Sequence, residues 1–292
     1  MTLFSKSITL RQDIKITDEE FRLLRDFIYA QSGIHIRENR KYLLENRLAN
    51  RLKELNLKNF GEYYYFLKYD PGRKQELVKL FEVITTNETS FFRNPPQLAI
   101  FRDKILPDIL DRQRKSKDRS LHIWSAGCST GEEPYTLAII LFEVLGREIS
   151  QWDIKITAND LSPAVIKSAE RGVYSKYTLR TTPEEIQKRY FREEGPGKYK
   201  LDPKVKNLVS FGQLNLSDRF QVKNIKRSHV IFCRNVIIYF DDDMKKNVIN
   251  SFYDNLLPGG YLFIGHSESL HNISRAFTPL HHPGAIVYQK SE

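Results

Sequence analysis

The sequence is poor in cysteine, methionine and tryptophan, with two residues of each among 292. Two cysteines, Cys128 and Cys233, are too few for a disulfide framework or a zinc-ligand pattern, and such scarcity is typical of a reducing compartment. The sequence also has no run of about 18 apolar residues, the length that a helix needs to span a membrane. Residues 1–15 have no apolar stretch behind their basic residues, so no export signal is expected. We therefore expect a cytoplasmic protein without a bound metal.

The apolar content of the chain is sufficient for one or two folded domains. Apolar residues make up 40% and aromatic residues 12% of the sequence, which excludes a disordered or fibrous protein. The formal net charge of +10 favours encounters with nucleic acid, an anionic lipid surface or an acidic protein. A solvated basic surface without any partner explains the same charge equally well.

Helical periodicity dominates residues 17–112. Thr17 and Glu20 stand in capping-box positions before the first helix, and Gly33 is expected to end that helix. A second helix is expected over residues 38–55. These patterns predict an all-helical domain in residues 1–95, followed by a helix and linker at 96–119.

The second helix carries a short basic stripe. Arg40, Arg47 and Arg51 line up beside its apolar side at helical spacing. Such a stripe is either a docking surface for acidic side chains or an ordinary solvated helix face. The pattern alone favours the solvated face.

From Leu121 onward, strands alternate with helices, which predicts a doubly wound α/β domain with a parallel sheet in residues 120–292. The final segment, 285–288, is expected to be an antiparallel edge strand. A small inserted β subdomain is expected at about 190–211. The remaining strands are expected at 121–126, 154–158, 208–211, 229–233 and 261–265, and the helices at 133–145, 163–170 and 242–257.

A glycine-bearing turn joins the first strand of this domain to its first helix. Residues 124–135 read Trp-Ser-Ala-Gly-Cys-Ser-Thr-Gly-Glu-Glu-Pro-Tyr, and open α/β sheets bind nucleotide-like ligands at such turns. The G-x-G-x-x-G spacing is missing, and Glu132 and Glu133 stand where a dinucleotide's pyrophosphate would meet the helix N-terminus. A cofactor with an ammonium group fits this turn better, and S-adenosylmethionine has one.

Asp160 ends the second strand, where an acidic side chain can accept hydrogen bonds from ribose hydroxyls. On position alone, Asp160 could equally cap the helix that begins near Pro163. The glycine turn favours the cofactor role.

Two further segments concentrate polar, aromatic and cationic groups. Residues 87–93 read Asn-Glu-Thr-Ser-Phe-Phe-Arg, in which Arg93 could pair with a carboxylate and the phenylalanines could shield a reaction from water. The same segment could be a helix junction with two core phenylalanines. Residues 232–240 continue a buried strand into Asn235 and Tyr239 at its carboxyl end, the edge at which such sheets bind ligands.

Taken together, residues 87–93, 129–135, 158–160, 233–240 and 265–268 resemble the motifs of the CheR-type chemotaxis receptor methyltransferases, in the family's order. The resemblance covers nearly the whole chain. It implies a Rossmann-like methyltransferase sheet and S-adenosylmethionine as methyl donor, with S-adenosylhomocysteine as product. The acceptors it implies are glutamate side chains on the cytoplasmic helices of chemoreceptors, which would become methyl esters.

The resemblance also implies roles for particular residues. Arg93 and Tyr239 are expected near the transferred methyl group as catalytic residues. Arg47 and Arg51 are expected to recognise the receptor, and Arg40 joins them by helical geometry. The cofactor site is expected to comprise Asn87, Thr89, Arg93, Glu133, Asp160, Asn215, Leu216, Asn235 and Val236.

One departure from the family concerns receptor tethering. Some members have a loop in the β insertion that binds a carboxyl-terminal receptor peptide, and the corresponding residues 192–200 look shorter here. We therefore expect direct receptor recognition without a tether, no nucleic-acid partner and no membrane insertion. Open alternatives are a methyltransferase with another substrate and a non-catalytic S-adenosylmethionine sensor. The irregular glycine turn disfavours a nicotinamide oxidoreductase.

Overall fold

The computed structural model describes residues 14–85 and 88–291. The described residues divide into two compact units, one formed by 14–29 with 36–84 and the other by 30–35 with 85–291. Within the described ranges, no helix is both long enough and apolar enough to cross a lipid bilayer.

The first unit is helical. The predicted capping box is confirmed, because the Thr17 amide donates to the Glu20 carboxylate (2.8 Å) and the Glu20 amide donates to the Thr17 hydroxyl (3.2 Å). Leu44, Leu48 and Leu52 are buried at the helical spacing seen in the sequence. The helices are α1 (Asp18–Ser32), α2 (Lys41–Glu54), α3 (Phe60–Tyr69) and α4 (Arg73–Ile84), and the last residues of α1 belong to the second unit.

The second unit alternates strands and helices, as the sequence predicts. Its helices are α5 (Pro95–Ile100), α6 (Leu106–Lys115), α7 (Glu132–Leu145), α8 (Pro163–Arg171), α9 (Glu184–Tyr190), α10 (Pro203–Lys206), α11 (Arg219–Lys223) and α12 (Asp242–Asn255). Its strands are β1 (Ser120–Ala126), β2 (Asp153–Asp160), β3 (Val173–Ser175), β4 (Phe191–Gly195), β5 (Lys198–Leu201), β6 (Val209–Gln213), β7 (Ser228–Cys233), β8 (Leu256–Ile264), β9 (Phe277–His282) and β10 (Ala285–Lys290).

The main sheet has the strand order β6-β2-β1-β7-β8-β10-β9 and is parallel from β6 to β8. The chain builds outward from β1 through β2 to β6 and then returns to place β7 on the other side of β1. This reversal creates a crevice at the carboxyl ends of β1 and β7, where open α/β sheets bind their ligands.

Helices cover both faces of this sheet. Along β1, Leu121 and Ile123 pack into one apolar cluster with α6 and α7, while Trp124 and Ala126 pack into another with α12. Successive side chains of a strand point to opposite faces, so a run of apolar residues is typical of a strand buried on both. The sheet is therefore a rigid base for the residues at its carboxyl edge.

The edge of the main sheet differs from the prediction. The closing segment is antiparallel, but β10 lies between β8 and β9, so β9 is the edge strand and the expectation of an edge strand at 285–288 is wrong. Pro279 within β9 disfavours a strand in the sequence pattern. Proline is tolerated at a sheet edge because one side of the edge strand makes no ladder hydrogen bonds.

A second, three-stranded antiparallel sheet has the order β3-β5-β4. It is the small inserted β subdomain of the predicted fold class. The insertion was expected at about 190–211. In the structure, one strand of the small sheet comes from 173–175, and 209–213 belongs to the main sheet.

Candidate functional site

A cavity of about 280 Å³ lies where the loops after β1, β2, β6 and β7 meet. Asn87 falls outside the described residues. Every other residue that the sequence assigns to the cofactor or to catalysis lines this cavity: Thr89, Arg93, Glu133, Asp160, Asn215, Leu216, Asn235, Val236 and Tyr239. The structure thus brings together side chains from segments separated by up to 150 positions, and their roles remain predictions.

The glycine turn after β1 closely approaches the loop after β7. Gly127 has φ +80°, and a Cβ added there would lie 2.4 Å from Cγ2 of Val236. Only glycine meets both conditions without strain. The requirement for Gly127 therefore comes from the shape of the cavity as much as from the turn.

Asp160 is oriented by backbone amides. Its carboxylate accepts hydrogen bonds from the amides of Ser129 (2.8 Å) and Ser162 (3.0 Å). Burial raises the pKa of Asp160, and these hydrogen bonds oppose the rise by favouring the charged form. Asp160 thus bonds the amide of Ser162, the residue before α8, and also lines the cavity, while no side chain caps the first turn of α8.

Glu133 is a second carboxylate in the cavity wall. It accepts a hydrogen bond from the Ser125 hydroxyl (2.7 Å) and faces Nη1 of Arg234 at 3.4 Å. Burial raises the pKa of Glu133, whereas the Arg234 charge and the Ser125 hydrogen bond lower it. Glu132, its neighbour on α7, is buried and bonds the Thr130 hydroxyl, so the two glutamates do not share one role.

Two arginines flank these carboxylates. Nη1 of Arg93 donates to the Glu88 carbonyl (2.9 Å), which fixes the guanidinium at the cavity wall. Arg234 donates from Nη2 to the Arg93 carbonyl (2.5 Å), and its buried Nε has no partner among the described residues. Arg234 lines the cavity but was not among the predicted site residues, although its place between Cys233 and Asn235 at the end of a buried strand was an available signal.

Residues 30–35, which are far in sequence from the other lining segments, complete the wall of the cavity. Ser32 and Ile34 line the cavity. Their segment, 30–35, is fixed by a hydrogen bond from the His35 amide to the Tyr239 carbonyl (2.8 Å) and by one from Nδ2 of Asn215 to the Gln31 carbonyl (2.8 Å). Nothing in the sequence pattern indicated this contribution.

Phe91 and Phe92 do not line the cavity. The Phe91 ring is fully buried and makes edge contacts with Tyr174 (4.7 Å between ring centres) and Phe191 (4.9 Å), while Phe92 packs against the same core. The hypothesis that these rings shield a reaction from water is therefore wrong. They anchor the loop that carries Arg93.

The basic stripe on α2 is largely engaged within the helical unit. Arg51 donates to the buried Glu76 carboxylate from Nε (3.0 Å) and Nη2 (2.5 Å), and the Tyr63 hydroxyl donates to the same carboxylate (2.8 Å). Arg47 donates to the Ile84 carbonyl, and Arg40 is exposed. These contacts give Arg51 a structural role, and receptor recognition by the three arginines remains a prediction.

The donor set of the cavity fits S-adenosylmethionine. The carboxylates of Glu133 and Asp160 suit an ammonium group and ribose hydroxyls, and Arg93 suits a carboxylate. The buried hydroxyl of Ser129 has no hydrogen-bond partner in the described ranges, and it lines the cavity. A polar ligand would satisfy that hydroxyl.

Comparisons with known proteins agree with this geometry. The model of the CheR methyltransferase all-alpha domain matches residues 19–85, and that of the CheR methyltransferase SAM binding domain matches residues 87–286. Chemotaxis protein methyltransferase 2 of Vibrio cholerae is 36% identical over 91% of this chain and 90% of its own length. The chemotaxis protein methyltransferase of Borreliella burgdorferi is 37% identical over 88% of this chain and 90% of its own. Chemotaxis protein methyltransferase 1 of Pseudomonas aeruginosa is 32% identical over 92% of this chain and 97% of its own.

Proposed function

The chain belongs to the CheR family of S-adenosylmethionine-dependent chemotaxis methyltransferases, and from that premise we propose that it methylates glutamate side chains on the cytoplasmic helices of chemoreceptors. The products are glutamyl methyl esters and S-adenosylhomocysteine. The observation that carries the proposal is the single cavity that gathers the described residues expected at the cofactor and methyl-transfer sites. The matches do not favour a different substrate class or a non-catalytic sensor.

No residue of the protein has to act as a general base. A glutamate has a reference pKa near 4.3, so about 99% or more of the substrate is carboxylate at pH 7. Consistent with this, the described lining of the cavity contains no histidine. S-adenosylmethionine, when bound, supplies a methyl group on a positive sulfonium that a carboxylate can attack directly.

The carboxylates of the cavity are proposed to hold the cofactor. Asp160, fixed by the amides of Ser129 and Ser162, is oriented to accept from ribose hydroxyls. Glu133, fixed by the Ser125 hydroxyl, is the matching acceptor for an ammonium group. Because hydrogen bonds within the protein already hold both carboxylates in place, these side chains lose little conformational freedom when the ligand binds.

Arg93 and Tyr239 are proposed to position the acceptor. The Glu88 carbonyl takes one Arg93 donor, which leaves other guanidinium donors for a substrate carboxylate. An arginine that held the carboxylate equally in the ground and transition states would improve binding without raising the rate of the bound complex. Arg93 is therefore proposed to act by aligning the carboxylate with the methyl group. Alignment is the main requirement here, since well-oriented reactions reach effective molarities of about 10⁵ to 10⁸ M.

Receptor recognition is proposed to be direct. Of the three arginines of the basic stripe, Arg40, which directly precedes α2, is the exposed candidate for acidic receptor side chains, while Arg51 is already paired with Glu76. The short hairpin β4–β5 gives no support to a tether for a receptor peptide.

The proposal is tested with purified protein, methyl-labelled S-adenosylmethionine and a chemoreceptor cytoplasmic fragment. Carboxyl methyl esters release labelled methanol in mild base, whereas methylated nitrogen does not. We expect base-labile label on the receptor fragment. Label that resists base would mean a different acceptor atom, and cofactor binding without labelling across several receptors would support the sensor alternative.

A further inference from the structure

Glu268 lies behind the loop that follows β7 and bonds it through several backbone amides. One carboxylate oxygen accepts from the Asn235 amide (2.9 Å) and from the Gly265 amide, and the other accepts from the Ile238 amide (3.2 Å). Glu268 itself is absent from the cavity lining. A charged acceptor shared by several amides is among the stronger hydrogen-bonding arrangements in proteins.

The loop that Glu268 bonds carries much of the candidate site. Asn235, Val236 and Tyr239 all line the cavity. Asn235 has φ +61°, a left-handed conformation that is uncommon for a residue with a side chain. Such a conformation persists when the surrounding structure imposes it, and the Glu268 carboxylate is the group that binds the Asn235 amide.

Gly265 permits this contact. A Cβ at position 265 would lie 2.6 Å from a Glu268 carboxylate oxygen and 3.0 Å from the Asn235 amide nitrogen. A side chain there would push the carboxylate away from the loop. Gly265, Glu268 and Asn235 therefore form one interdependent contact.

We infer that Glu268 is a positioning residue of the methyl-transfer site, which sets cofactor affinity by holding residues 235–239 in the conformation that the cofactor requires. The inference rests on the proposed function only in placing S-adenosylmethionine in this cavity. A carboxylate is needed because both of its oxygens accept hydrogen bonds, whereas an amide side chain presents one acceptor and two donors. In a glutamine variant, an NH₂ group would face a backbone N–H group.

The test compares Glu268→Gln with wild type by calorimetric titration of S-adenosylhomocysteine, which needs no acceptor and no turnover. We expect the dissociation constant to rise by about tenfold or more, the effect of losing a charge-assisted hydrogen bond to the loop. Glu268→Asp keeps the charge and should recover part of the affinity. Amide hydrogen exchange of wild type and variant should show faster exchange at Asn235 and Ile238 in the variant.

Two controls separate positioning from general destabilisation. Val287→Ala removes part of a fully buried side chain in β10, so it should lower the unfolding temperature while leaving the affinity for S-adenosylhomocysteine within about twofold. Glu185→Gln makes the same chemical change at an exposed position. Wild-type affinity in Glu268→Gln, or an equal loss of affinity in Val287→Ala, would overturn the inference.

If Glu268→Gln fails to fold, two other measurements test whether Glu268 positions the loop. They are the affinity of Glu268→Asp for S-adenosylhomocysteine and the protection of the amides of residues 235–238 from hydrogen exchange in the wild type. Unprotected amides there in the wild type would contradict the inference. If wild type binds S-adenosylhomocysteine but methylates no receptor, the proposed acceptor is wrong and the role of Glu268 in binding is still measured.

Discussion

Gly127→Ala tests whether the cavity depends on the close contact between the turn after β1 and the loop after β7. The added methyl group would lie 2.4 Å from Cγ2 and 3.2 Å from Cγ1 of Val236, far inside normal contact distance. Alanine would also have to adopt φ +80°. The strained backbone costs about 1–3 kcal/mol. Overpacking costs about 1–3 kcal/mol more, so we expect a total loss of about 2–6 kcal/mol in unfolding free energy.

The two costs can be separated with a double-mutant cycle. Val236→Ala removes both methyl groups that the new Cβ would meet, so in the double variant the overpacking cost should disappear while the backbone strain stays. We expect Gly127→Ala to cost about 1–3 kcal/mol less in the Val236→Ala background, measured by urea unfolding at constant m value. An equal cost in both backgrounds would refute steric contact with Val236 as the cause.

Three further outcomes are expected. Arg93→Ala should lower methyl transfer at saturating cofactor by about 100-fold or more with an unchanged circular dichroism spectrum, and normal turnover would contradict the positioning role. Arg51→Ala should cost about 3–5 kcal/mol of unfolding free energy because it leaves Glu76 buried without its cation, whereas Arg40→Ala should stay within about 0.5 kcal/mol and weaken receptor binding. Burial lowers the pKa of His229 from 6.5 to about 4. Between these two pH values the imidazole is protonated in the unfolded chain but neutral in the folded one, so the unfolding free energy should fall by about 3 kcal/mol as the pH drops from 6.5 to 4. The slope should be shallower in His229→Asn, where the neighbouring His122, whose pKa burial also lowers, keeps a part of it. An unchanged slope in acid unfolding would exclude His229 as a source.

The sequence predicted the main sheet well because most of its strands obey local rules. Segment 121–126, which contains only two polar residues, is buried on both faces, and helical periodicity follows it. The carboxyl ends of neighbouring parallel strands meet at one edge, so polar residues after β1, β2 and β7 could be expected to converge. Strand β9 was not predicted, because Pro279 interrupts the residue pattern that is typical of a strand.

The parts of the site that escaped prediction depend on long-range contacts. Ser32 and Ile34 reach the cavity because hydrogen bonds hold their segment, 30–35, to the Asn215 side chain and the Tyr239 carbonyl, about 200 residues away. No periodicity in the sequence encodes such bonds. Phe91 and Phe92 could be read from sequence as either shielding or core residues, and the aromatic side chains of the small sheet decide for the core. Arg51 formed part of a regular basic stripe, but the buried Glu76 on α4 turns its guanidinium to a structural contact.

The central claim is that the cavity serves methyl transfer to glutamate carboxylates. The most direct test is peptide mass mapping of a chemoreceptor cytoplasmic fragment after incubation with S-adenosylmethionine and either wild type or Arg93→Ala. We expect one added methyl group on particular glutamate side chains with wild type, and about 100-fold less of it after the same time with the variant. Methylation on lysine or arginine, or equal glutamate methylation by both proteins, would contradict it.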